Sequence, residues 1–190
     1  MPHVHITGDA AADQLLSEEP LALLIGMLLD QQVPMETAFA GPAKIRARLG
    51  AFDAAAIANA DPEKLVGIFT QTPAVHRFPG SMAERTRALC AALVGEWGGD
   101  ASRLWTDGDP DGATILKRLK ALPGFGEQKA KIFLALLGKQ YGLTAPGWES
   151  AAGSYGEPGS YRSVADIVDA SSLVKVREFK KAAKAAAKEK

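Results

Sequence analysis

The sequence predicts an all-α protein, a two-lobed helical bundle with a cleft between its lobes and a helix-hairpin-helix motif at one rim. Three observations predict it. Apolar residues recur at helical spacing in most of the segments between breaks, and no pair of alternating runs reads as a strand hairpin. Leu122-Pro123-Gly124-Phe125-Gly126 is wedged between two helical patterns. Upstream, Ile115, Leu116 and Leu119 share a face; downstream, Ala130, Ile132, Phe133, Leu134, Leu136 and Leu137 fill a wide apolar face that ends at Gly138. Pro123 cannot continue the first helix, and the two glycines permit a left-handed backbone or close approach by another molecule.

The elements follow in order. Residues 1–14 carry little pattern, and His3 and His5 lack the partner cluster that a metal site needs. Pro20 suits a first helical turn and opens a helix through about Asp30. Pro34 marks the next boundary, with a helix from Met35 to Leu49 despite Gly41-Pro42. Ala54 to Ala60 is a short helix, and Asp61-Pro62-Glu63 caps another that runs to about Phe69. Phe78-Pro79-Gly80-Ser81 introduces a helix from Met82 to Trp97, with Leu89, Leu93 and Val94 facing inward and Cys90 in the core. Gly98 to Asp111 reads as a loop around Trp105, before the hairpin at 115–138. Thr144 to Ser160 is rich in Gly, Pro, Ser and Ala, and reads as a long loop carrying Trp148 and Tyr155. Helices near 163–169 and 172–188 complete the chain, which divides into a helical domain over 1–174 and a Lys/Ala-rich C-terminal helix or tail over 175–190.

Composition narrows the class. Of 190 residues, 47% are apolar, too many for a disordered chain. The longest apolar run, Leu21 to Leu29, is half a membrane span, and no signal-peptide order opens the sequence. A single cysteine rules out a disulfide framework and a four-cysteine iron–sulfur cluster. The expectation is a monomeric cytoplasmic protein, associated with the nucleoid and with no membrane partner. Net charge is zero, yet residues 175–190 hold seven bases against two acids. Lys117, Arg118, Lys120, Lys129, Lys131 and Lys139 also crowd the hairpin, where Glu127 is the single acid in 115–139. Free N–H groups at the start of the second hairpin helix, beside its positive dipole end and these lysines, suit the phosphates of a nucleic-acid strand.

The Leu122–Gly126 turn, followed by a helix and a Gly/Pro loop, resembles the helix-hairpin-helix–GPD (HhH-GPD) superfamily of base-excision DNA glycosylases, which includes endonuclease III, adenine glycosylase and 3-methyladenine glycosylase II. Leu28-Leu29-Asp30-Gln31-Gln32-Val33 is similar to that family's glutamine-bearing turn, which probes the gap left by a flipped base. Phe78 to Val94 matches the helix preceding the hairpin. The resemblance covers about residues 20–150, with the segments in family order.

It implies a monofunctional DNA N-glycosylase that acts on double-stranded, lesion-containing DNA. Gly124, Phe125, Gly126, Gln128, Lys129 and Lys131 would hold the strand, Gln31 or Gln32 would fill the vacated stack, and Trp148 would wall the base pocket. The family's lyase lysine falls on Gln128, which argues against strand cleavage. Its aspartate falls on Pro146, within Thr144-Ala145-Pro146-Gly147-Trp148-Glu149, leaving Glu149 as the candidate catalytic carboxylate and Asp166 and Asp169 behind it. No cofactor is implied beyond a monovalent cation on the hairpin carbonyls. The alternative is a catalytically inactive HhH-GPD-like protein that binds damaged or distorted DNA or recruits partners.

Overall fold

Five helices begin on an aspartate whose carboxylate accepts first-turn N–H groups: Asp9, Asp53, Asp61, Asp111 and Asp169. Each such cap is worth about 1 kcal/mol and fixes where its helix starts. In the computed structural model, which describes residues 2–189, these caps delimit an all-helical chain with no strand among the described residues.

The first lobe holds α1 (Ala10–Glu18), α2 (Pro20–Leu29), α3 (Met35–Leu49), α4 (Ala54–Ala58), α5 (Pro62–Thr70) and α6 (Pro79–Trp97). Its axis is α2, in which every residue from Leu21 to Leu29 is buried. Gly26 lets α3 approach closely, since a Cβ there would stand 2.5 Å from Phe39 Cδ1. The second lobe holds α7 (Arg103–Thr106), α8 (Gly112–Lys120), α9 (Glu127–Gln140), α10 (Trp148–Ala152) and α11 (Ala170–Lys188), with 3-10 turns at Gly153–Gly156 and Val164–Asp166. Here α9 is central, packed by α8, α10 and both turns, and its contact with α2 joins the lobes.

Several elements depart from the sequence reading. The unpatterned start contains α1, whose Leu15 and Leu16 are buried together with Val4 and Ile6. Two hydrogen bonds across the turn fasten it: Val4 N–H donates to Ser17 Oγ at 3.0 Å, and Ile6 N–H to Asp13 Oδ1 at 3.1 Å. Val94, expected inward, lies on the solvent side of α6 and is 40% exposed. The segments read as loops contain α7 and α10, because Trp105 and Trp148 each pack against the core and a single helical turn presents them. The expected helix at 163–169 shrinks to one 3-10 turn, while α11 starts at Ala170 on its Asp169 cap.

Candidate nucleic-acid interface and cleft

The hairpin joins α8 to α9 through a backbone that only glycine fits. Gly124 has φ of +83°, and a Cβ on it would stand 2.5 Å from Leu28 Cδ1, so the turn rests directly on the end of α2. Phe125 points inward, buried, with its ring edge-on to Phe133. Gly126 precedes α9 with no side-chain cap and open space where a Cβ would be. Among the described residues, the N–H groups of Gly126, Glu127 and Gln128 take no acceptor, as the first turn of a helix leaves them. Lys131 stays on the surface, its ammonium 3.4 Å from Glu127 Oε1.

Lys129 turns the other way. Its ammonium donates to the carbonyls of Met27 (2.7 Å) and Leu28 (3.4 Å) in the last turn of α2 and of its C-cap Asp30 (3.2 Å). A cation suits this negative dipole end. Burial pulls the Lys129 amine down to about 8, against the opposing pull of Asp30. One residue's difference in helix phase thus separates Gln128, facing the cleft, from Lys129, which staples the hairpin to the first lobe.

Beside the hairpin opens a cleft of about 560 Å³. Asp30, Gln128, Ile132 and Tyr155 form one side, and Arg162, Ser163 and Val164 another. Phe179, Lys180, Lys181, Ala183 and Lys184 of α11 form the third. Gln128 Nε2 donates to the Tyr155 hydroxyl at 3.0 Å, orienting both groups. The Asp30 side chain is only 7% exposed and lies 3.9 Å from the Lys180 ammonium. Burial pushes its carboxyl above the ordinary carboxylate range, while Lys180 and Lys129 draw it back. A buried carboxylate perturbed in this way inside a cleft marks a candidate functional group.

The glutamine turn borders a second, shallower hollow of about 210 Å³ with Phe78, Ser81, Met82 and Arg85. Gln31 is braced: Nε2 donates to Leu28 O at 2.9 Å, Oε1 accepts from Arg85 at 2.9 Å, and its carbonyl lies 2.9 Å from His76 Nε2. Gln32 is exposed and takes a left-handed backbone, φ +59°, which swings it outward. Phe78 stands beside it, 41% exposed.

The remaining candidates lie elsewhere. Glu149 is exposed on α10 and is not among the cleft-lining groups. Trp148 lays its ring on Gly138 of α9, where no Cβ would fit, so it packs the second lobe together and does not wall the cleft. Asp166 is consumed by structure: Lys139 Nζ donates to its Oδ1 at 2.6 Å, and the Arg162 N–H to its Oδ2 at 2.8 Å. Asp169 caps α11.

Comparison with protein families returns a match to the model for HhH-GPD superfamily base excision DNA repair proteins over residues 25–186. The chain belongs to this superfamily. Base excision DNA repair is therefore its general function, and DNA its partner. The HhH-GPD match extends across α11, so the basic C-terminal segment lies largely within it. No curated protein matches the chain. No helix among the described residues is long and apolar enough to cross a membrane. Sequence reasoning passed over Asp30, Tyr155, Phe78 and the inner face of α11 as site residues. Asp30 was within reach of it, as the acid that directly precedes the two glutamines.

Proposed function

We propose that this HhH-GPD protein is a monofunctional DNA N-glycosylase, acting as a monomer on lesion-containing genomic DNA. The observation that carries the reading is the buried Asp30 carboxylate in a cleft that begins at the hairpin itself. The open N–H groups of Gly126, Glu127 and Gln128, with Lys131, grip a backbone phosphate and set the register without reading sequence. Gln32 enters the stack that the target base leaves, and Phe78 wedges the neighbouring step apart. The extruded base passes into the cleft against Tyr155 and Phe179.

There the C1′–N bond breaks, its electron pair departing with the base. The Asp30 carboxylate stabilises the positive charge left on the sugar. Water adds to C1′, and its proton passes to Asp30 and from there to the departed base, so a neutral free base, an abasic sugar and the Asp30 anion result. Gln128 offers no nucleophilic nitrogen where a lyase needs an amine, and the strand stays intact. Asp30 takes the role that the family resemblance implied for Glu149, and Tyr155 with Phe179 that of Trp148. Lys129 serves the fold.

The test is release of free base from duplexes carrying deaminated, oxidised or alkylated bases. Release with an uncut strand supports the reading. Tight lesion binding with no release from any duplex overturns it in favour of damage recognition alone, a reading that the Lys180–Asp30 pairing favours because it leaves the carboxylate covered.

A further inference from the structure

The cleft's charge and hydrogen-bonding groups define what kind of base it accepts, an inference that rests on the base-excision reading above. Among the described residues, Asp30 is the only acid lining it, and that acid already faces the Lys180 ammonium at 3.9 Å. Against it stand Lys180, Lys181, Lys184 and Arg162. The Arg162 guanidinium carbon lies 5.5 Å from the centroid of the Phe179 ring, so one aromatic wall already carries a cation. Besides these charged groups, the lining offers a Tyr155 hydroxyl that accepts from Gln128 and keeps its own proton to donate, and the Gln128 carbonyl oxygen. Donors from Tyr155 and Lys180, with acceptors from Gln128 and Asp30, complement a ring that presents carbonyl oxygens and an N–H.

We infer that the cleft selects neutral, carbonyl-bearing lactam bases, such as uracil, hypoxanthine or 8-oxoguanine, and discriminates against cationic N-alkylated purines. A cationic ring entering this space meets Lys181 and Lys184, which have no carboxylate partner among the described residues, beside Lys180 paired with Asp30 and Arg162 paired with Glu157. It also meets an aromatic face whose attraction for cations Arg162 occupies. A lactam meets donors for its oxygens and an acceptor for its N–H. Lys181 and Lys184 are exposed where they line the cleft, so their charge serves the phosphate of the same extruded nucleotide and opposes only the cationic base.

The decisive comparison uses duplexes with a 2′-fluoro sugar, which resists bond cleavage, carrying hypoxanthine, uracil or 7-methylguanine at one position. The full chain is expected to bind the two lactams at least about tenfold more tightly than 7-methylguanine, with the double variant Lys181→Glu, Lys184→Glu narrowing the gap several-fold. Equal or tighter binding of 7-methylguanine overturns the inference, as does a gap that charge reversal leaves unchanged. Release from the natural-sugar duplexes, measured against uncatalysed loss from each, reports separately on base excision. No release from any of them defeats the glycosylase reading while the binding ratio still decides the lesion class.

Discussion

Gly124 and Leu28 touch across the two lobes: with φ at +83°, the glycine presents its bare Cα to Leu28, whose Cδ1 would lie 2.5 Å from any added Cβ. The hairpin and the glutamine turn are therefore one unit, seated on each other. Gly124→Ala meets both the left-handed strain and the clash, and is expected to destabilise the protein by about 1–3 kcal/mol. Chemical denaturation measures this, and duplex affinity should fall with it as the hairpin shifts.

Two neighbouring lysines should separate cleanly. Lys131 is a surface cation beside the open amides, so Lys131→Ala should lower the salt dependence of DNA binding by about one phosphate contact. Lys129 holds α2 by its terminal carbonyls. Lys129→Ala should leave the salt slope unchanged and reduce folding stability by about 1–3 kcal/mol, the range of charged hydrogen bonds. Salt titrations and denaturant melts on both variants decide the assignment.

The Lys139–Asp166 pair is buried, with side chains 15% and 4% exposed, and it ties the 157–166 segment across α9. Asp166→Ala strands the ammonium and should destabilise by about 3–5 kcal/mol. Since this segment supplies Arg162, Ser163 and Val164 to the cleft, hydrogen exchange there should rise in the variant even where the rest of the fold is retained.

Most of the fold was legible because its punctuation is local. The Asp61 cap, Pro20, Pro62 and the Pro-Gly hairpin act over one turn of chain, and the structure keeps each of them. The gap is at the site. Glu149 and Trp148 were implied by the family resemblance on a segment read as a loop, but that segment folds into α10 and lays Trp148 on Gly138, leaving Glu149 exposed. Asp30 becomes a cleft residue only because Gln128 and Lys180, far away in sequence, close around it. No local pattern carries that information. Lys129 differs again: its helix phase was visible, while the carbonyls awaiting it belong to another lobe.

Acidification should act through Asp30. Its carboxyl is raised in the fold, chiefly by burial, so the active anion is lost as pH falls through a value above the ordinary ~3.9. Base release should therefore decline on acidification before free carboxylates titrate. The sign for stability is opposite: a raised carboxyl stabilises the fold only when protonated, and that contribution is lost as pH rises. Asp30→Asn should accordingly melt at pH 7 no lower than the wild type, as differential scanning calorimetry will show.

The most direct measurement is single-turnover base release from a lesion duplex by wild type, Asp30→Asn and Glu149→Gln at matched, saturating enzyme. With Asp30 as the catalytic carboxylate, its asparagine variant should slow release about 100-fold or more while binding the duplex as before, and Glu149→Gln should match the wild type. Full activity in Asp30→Asn, or a loss confined to Glu149→Gln, would contradict the account.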